Sequence, residues 1–164
     1  MPESRKSKIA KEWEHRALRQ HAESLGESYI NTPDTGGNYR ARAVFDAIFV
    51  RGSEMASIWE CKARWLSEKA IEQYGGEILI SKKKIDNCCT ISGLAQAPFN
   101  LMFISIPLKC YWTFLVSKAG GEIILPITYE ERETQYSTEG GTKTETVALI
   151  DLKHGNKEDI QCIN

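Results

Sequence analysis

The sequence predicts an α/β domain followed by a β-rich extension, and three patterns carry that prediction. An amphipathic helix opens the chain over about residues 4–25, and residues 43–64 read as two strands joined by a tight turn. A helical stretch from 68 to about 95 then leads into two apolar strands, 99–106 and 111–116. From about 118 to 164 the chain is rich in strand formers and turn signals.

A chain of 164 residues is one domain by length, and 41% hydrophobic with 26% charged residues is ordinary for a folded soluble protein. No apolar run approaches the roughly 20 residues of a membrane span, and MPESRKSKIAKEWEHR lacks a signal peptide's apolar segment. The expectation is a cytoplasmic protein with no membrane partner and no organic cofactor. Five cysteines with Cys88 and Cys89 adjacent and no C-x-x-C pair fit neither a disulfide framework nor a zinc site, so reduced thiols are expected. Charge is unevenly spread. Residues 1–120 hold 17 Lys and Arg against 13 Asp and Glu, and residues 121–164 hold 4 against 9. That asymmetry suits a nucleic-acid-facing side with an acidic tail portion, and an ordinary solvated surface explains it as well.

In the first helix Ala10, Trp13, Ala17, Leu18, Ala22 and Leu25 form the inward stripe, Glu14 falls within or beside it, and Gly26 serves as C-cap. Asn31 to Arg42 reads as a loop in which Gly36-Gly37 lies near Tyr39, Arg40 and Arg42, a flexible backbone beside cations that suits DNA contact or merely a solvated surface. Ser67 is a good N-cap for the second helical stretch, and Gly75-Gly76 marks a kink within it. Further strands are expected at Glu122 to Leu125, Thr128 to Ser137 and Thr142 to Ile150, the last two joined at Glu139-Gly140-Gly141. Trp59, Trp65 and Trp112 read as core or edge aromatics.

The central pair of strands carries the chemistry. Val44, Ile48 and Val50 share one face, which Asp46 interrupts; Ala56 and Ile58 continue the same parity, which Glu60 and Lys62 interrupt. If Val50 pairs with Ala56 across a connector of about five residues containing Gly52, Ile48 faces Ile58 and Asp46 faces Glu60. Opposed side chains sit roughly 5 Å apart at Cβ, so two half-buried carboxylates there repel and lose hydration. A divalent cation with oxygen ligands is the economical neutraliser, with Lys62 a second positive group beside it.

Asp46, a spacer of strand–turn–strand length and Glu60-Cys61-Lys62 resemble the PD-(D/E)XK nuclease superfamily, whose core hairpin carries a metal-binding Asp and an acidic-x-Lys signature. Phe45 stands where the name-giving proline would be. The resemblance covers roughly residues 8–117 and implies a restriction-endonuclease-like core: helix, strand hairpin, helix and two strands around a mixed central sheet. The extension is not explained by it. Many members carry a glutamate on the first helix, preceded by an aromatic and about a dozen residues before a glycine; Trp13-Glu14 before Gly26 fits, and the plainer alternative is a surface Glu14 paired with Lys11. A Gln or Lys from the second helix often faces the metal site, which marks Gln73 and one lysine of Lys82-Lys83-Lys84, with at least two of the triplet left on a solvated face.

The resemblance implies Mg²⁺, with Mn²⁺ able to substitute, held by Asp46, Glu60 and the backbone carbonyl of Cys61, and Glu14 helping to hold a second metal or its water. Lys62 would stabilise developing negative charge, since neighbouring carboxylates oppose the depressed pKa a base would need. Arg40, Arg42, Arg64, Gln73, Lys82 and Lys83 are the DNA-binding candidates. The expected activity is that of a metal-dependent DNA endonuclease, small and phage-type or Holliday-junction-resolvase-like, acting as a homodimer. Two other classes stay open: a catalytically idle nuclease-fold DNA-binding module, and an unrelated α/β protein-interaction domain whose three charges form a structural ion-pair cluster.

Overall fold

In the computed structural model, which describes residues 5–32, 45–135 and 141–161, helix α1 spans Arg5–Ser24. Its stripe packs as the periodicity requires: Ala17, Leu18 and Ala22 are buried, with Ala10 and Trp13 at the margin of the same cluster. Leu25, expected to face inward, is 45% exposed because it lies in the turn beyond the last helical residue and leaves the stripe. Strand β1, Ser28–Asn31, comes immediately after; it is short, with only Tyr29 half-buried, and nothing in the sequence pattern foreshadows it.

Strands β2, Ala47–Arg51, and β3, Glu54–Arg64, form the predicted hairpin. Ile48 faces Ile58, as parity requires, and Ala47 faces Trp59. Val50 pairs with Met55 and not with Ala56, because a bulge between Phe49 and Val50 shifts the register. The connection shrinks accordingly to Gly52 and Ser53. On its other edge β3 runs parallel to β5, Phe99–Ser105, which pairs antiparallel with β6, Cys110–Ser117. The result is a mixed central sheet.

The stretch from 68 to 95 departs from a single kinked helix. Ser67 caps helix α2, Glu68–Gln73, by accepting from the Ala70 N–H at 3.2 Å. Gly75 and Gly76 then adopt φ of +70° and +74°, left-handed values that end the helix and that side chains resist. The chain next forms a strand, β4, Glu77–Ser81, burying Ile78 and Ile80 on alternate positions, before helix α3, Lys82–Ala95. β4 exists because it has a partner: β8, Thr142–Asp151, lies between it and β7, Thr128–Gln135, in a second sheet. The predicted strand at Glu122 to Leu125 reduces to one bridge between Ser117 and Ile123, and β9, Asn156–Asp159, pairs with the other end of β6 at Cys110–Thr113. The expected turn at Glu139-Gly140 lies outside the described residues.

The extension is thus woven into both sheets, and β9 completes the order β1-β2-β3-β5-β6-β9. Side chains alternate across β3. Trp59, Cys61 and Ala63 pack under α1 with Phe49, Met102 and Tyr111. Ile58 packs on the opposite face with Leu101, Phe103, Ile85 of α3 and Ile80 of β4. Each fully buried large side chain contributes about 1.5–3 kcal/mol. Trp59 and Trp112 are core residues, and Trp65 is 46% exposed at the end of the sheet.

Candidate active site

β3 outlasts β2, and the site grows from that mismatch. Even-numbered residues of β3 turn their backbone groups toward β5: the Ile58 N–H donates to Pro98, and Arg64 accepts from the Ile106 N–H. Odd-numbered residues therefore turn toward β2, which begins only at Ala47. Past Trp59 the N–H groups of Cys61 and Ala63 need other acceptors. Two carboxylates supply them. Asp46 Oδ2 accepts from Cys61 at 2.8 Å, and Glu14 Oε1, reaching over from α1, accepts from Ala63 at 3.4 Å. Asp46 is itself pinned, its N–H donating to Trp59 and its carbonyl accepting from the N–H and hydroxyl of Thr32, each at 2.9 Å. The carbonyl of Cys61 opens on this same edge, because a strand residue's N–H and C=O point the same way.

Glu60 lies on the face toward α3 and is fully buried. Lys62 Nζ approaches its Oε1 at 2.7 Å and Lys84 Nζ its Oε2 at 3.2 Å. Among the described residues no backbone or hydroxyl donor reaches either oxygen, so the two ammonium groups alone compensate its charge. Burial raises the Glu60 carboxyl above its ordinary value, helped by the charge of Asp46 and resisted by the lysines. Burial likewise, and then the charge of Asp46, push Glu14 up to about 7. Lys62 is opposed by burial, yet the Glu60 carboxylate holds it above the ordinary lysine value. It is an ammonium at any physiological pH.

The sequence-predicted residues that the structure describes divide into three groups. Glu14, Asp46, Glu60, Cys61 and Lys62 converge around the middle of β3. Arg64 and Gln73 line a cleft of about 520 Å³ that opens beside Lys62. Lys82 and Lys83 stand apart from the carboxylates: Lys82 pairs with Asp86 at 2.5 Å and lies over the Tyr129 ring, and Lys83 is exposed. Of the lysine triplet, the one that reaches the site is Lys84. Arg40 and Arg42 lie outside the described residues.

Sequence reasoning missed a hydrogen bond between His15 and the Tyr29 hydroxyl beside the same edge. Tyr29 is pushed up to about 12, first by burial and then by Cys61, while Asp46 and Glu14 act in the same sense. Its only signal would have been β1, which is not legible. Arg132 of β7, in the cleft wall, was missed because the extension gave no reason to fold back.

Among the described residues no group of three or more His, Cys, Asp and Glu forms a metal site as it stands. The donor chemistry nonetheless suits a hard divalent cation: carboxylates that raise one another's proton affinity, and a strand carbonyl on the same edge. Among the described residues no helix is long and apolar enough to cross a membrane.

No family model matches the sequence, and no curated protein matches it. Among solved structures, the Holliday junction resolvase Hjc of the archaeal hyperthermophile Archaeoglobus fulgidus is similar over 62% of this chain and 74% of its own, at 14% identity and a TM-score of 0.45.

Proposed function

We propose that this chain is a metal-dependent nuclease that hydrolyses phosphodiester bonds of DNA. The observation that carries the reading is the convergence of Glu14, Asp46 and the Glu60–Lys62 pair on the stretch of β3 that β2 leaves uncovered. Asp46, Glu60 and the Cys61 carbonyl would hold Mg²⁺, with Glu14 adjoining. When bound, the ion would lower the pKa of a water and polarise the phosphoryl oxygens.

The chain's own residues do the rest. The Cys61 N–H fixes one oxygen of Asp46, orienting the carboxylate without help from substrate. Lys62 stays protonated and sits between the buried Glu60 and the open cleft, so its ammonium meets the charge that develops on the phosphate. Glu14, raised to about 7 by burial and the charge of Asp46, would release its proton where it helped to hold the cation. Arg64 lies next along the same parity, at the cleft, where it would touch a neighbouring phosphate.

The test is cleavage of supercoiled plasmid, linear duplex and a four-way junction in EDTA, Mg²⁺ and Mn²⁺. Parent protein should cut only with metal, and Asp46→Ala and Lys62→Ala should each lose about 100-fold or more. Undiminished cutting by either variant would refute the assignment. Preferential cutting of the junction would place the chain with resolvases. Cutting both strands of a duplex takes two sites, so the working form would be a homodimer; a monomeric mass by light scattering, with and without DNA, would remove that part.

A second reading has one specific observation in its favour. Both oxygens of Glu60 are already engaged by lysines, as in an idle nuclease fold that keeps its charges for structure. Such a protein would bind DNA with a steep salt dependence and never cleave it.

A further inference from the structure

Lys62, which holds Glu60 at 2.7 Å, also lines a cleft that none of the site's carboxylates line, so it joins the two. We propose that the cleft receives a single unstacked nucleobase of the bound strand, next to the phosphate that Lys62 faces. This rests on the nuclease reading and deepens it by naming a substrate class: nucleic acid with an unpaired or displaced nucleotide at the cut.

At about 520 Å³ the cleft falls within the range of small-ligand pockets, roughly 300–1,000 Å³. Leu66, Ile78, Phe103 and Leu149 give it an apolar lining, and the cations Lys62, Arg64 and Arg132 outnumber its one carboxylate, Glu77. At its rim stands Tyr74, a large aromatic left 62% exposed. The backbone fixes it there, since Tyr74 is the C-cap of α2 and the two left-handed glycines after it turn the chain directly into β4. An exposed ring, an apolar lining and flanking cations are what stacking a base and neutralising its phosphate require. A paired base has both faces and its edge already covered, so a nucleotide that is mismatched, displaced or single-stranded enters at the least cost. The proposal also gives the extension a task. Arg132 comes from β7, is braced by Glu130 at 2.5 Å and lines the cleft with Lys62 and Arg64.

The probe is 2-aminopurine at the unpaired position of a flap oligonucleotide, the same base fully paired in a duplex, and the free 2-aminopurine nucleotide. Emission and the anisotropy of a distant dye are followed in EDTA. Parent protein should quench the unpaired probe at least twofold on binding and leave the paired probe unchanged. Tyr74→Ala should abolish the quench and lower the preference for flap over duplex about tenfold, while Tyr74→Phe, which keeps the ring, retains both. Binding of the flap with unchanged emission overturns the proposal. Equal quenching of the free nucleotide at the same concentration also overturns it, because the ligand is then a mononucleotide and not a strand. The nuclease reading fails separately. Quenching without Mg²⁺-dependent cutting removes catalysis and keeps the base pocket, whereas metal-dependent cutting without quenching removes the pocket alone.

Discussion

The Lys84 ammonium lies 3.2 Å from Glu60 Oε2, so α3 is tied to the middle of β3 by an ion pair in which the carboxylate is wholly buried. Lys62 holds the other oxygen from within the same strand. Any cation that binds Glu60 must share it with, or take it from, these two lysines.

Lys84→Met is therefore expected to act in opposite directions with and without metal. In EDTA it leaves Glu60 buried with one partner and should cost about 1–3 kcal/mol, less than the roughly 3–5 kcal/mol for a buried charge left with none. With Mg²⁺ present the competitor is gone. The rise in Tm between EDTA and 10 mM Mg²⁺ should be larger in the variant than in the parent. An equal rise in both would show that Glu60 plays no part in metal binding.

Glu14 predicts a pH dependence whose sign comes from its raised value. Its folded pKa of about 7 exceeds the ordinary 4.5, so the folded state binds the proton more tightly than the unfolded chain. The stability this contributes is complete below about 4.5 and is lost as pH rises through 7. Glu14→Gln carries no such loss. In EDTA the variant should overtake the parent between pH 5 and 8, by on the order of 1–3 kcal/mol at pH 8 in urea unfolding. Mg²⁺ should return the advantage to the parent.

Gly75 and Gly76 make a structural prediction that bears on the cleft. Their φ values lie where a Cβ costs about 1–2 kcal/mol per residue, although neither position is sterically crowded. Gly75→Ala and Gly76→Ala should each lower stability by about that amount through backbone strain alone. If either variant is as stable as the parent in urea, the turn that sets Tyr74 at the rim is not the one described.

The range of the forces involved decides which features were legible in the sequence and which were hidden. Ile48 opposite Ile58 was legible because parity in a hairpin is a local matter. The bulge between Phe49 and Val50 was not, since it answers to cross-strand fit. β4 was hidden inside a helical reading, although Ile78 and Ile80 inward with Leu79 40% exposed is a period of two visible in EILIS. The deciding element was β8, about 70 residues away. The charged residues of β3 could be named because charges on an apolar parity demand an explanation. Which lysine of the triplet would serve Glu60 depended on where α3 begins, and a start at Lys82 turns Lys84 inward while Lys82 meets Asp86 one turn on.

His21 supplies the last prediction, and it has the opposite sign to Glu14. Its ring packs against Phe49, Trp59 and Tyr111 and hydrogen-bonds the Tyr111 hydroxyl at 3.2 Å. Burial lowers its pKa below 6.5 despite the pull of Glu158 and Glu27. The unfolded chain therefore takes up the proton first, and stability, complete above about 6.5, falls as pH drops through the lower folded value. Glu14 gains stability over part of the same descent. The two groups sit two turns apart on α1 and act in opposite directions, so in EDTA the parent's change in stability between pH 7.5 and 5.5 should lie between those of the two single variants. Each single variant unmasks one slope. His21→Gln, whatever its cost in packing, should gain stability toward pH 5.5, and Glu14→Gln should lose it. Urea unfolding of parent and both variants at the two pH values measures this directly, and parallel shifts in all three would show that neither group titrates as its surroundings require.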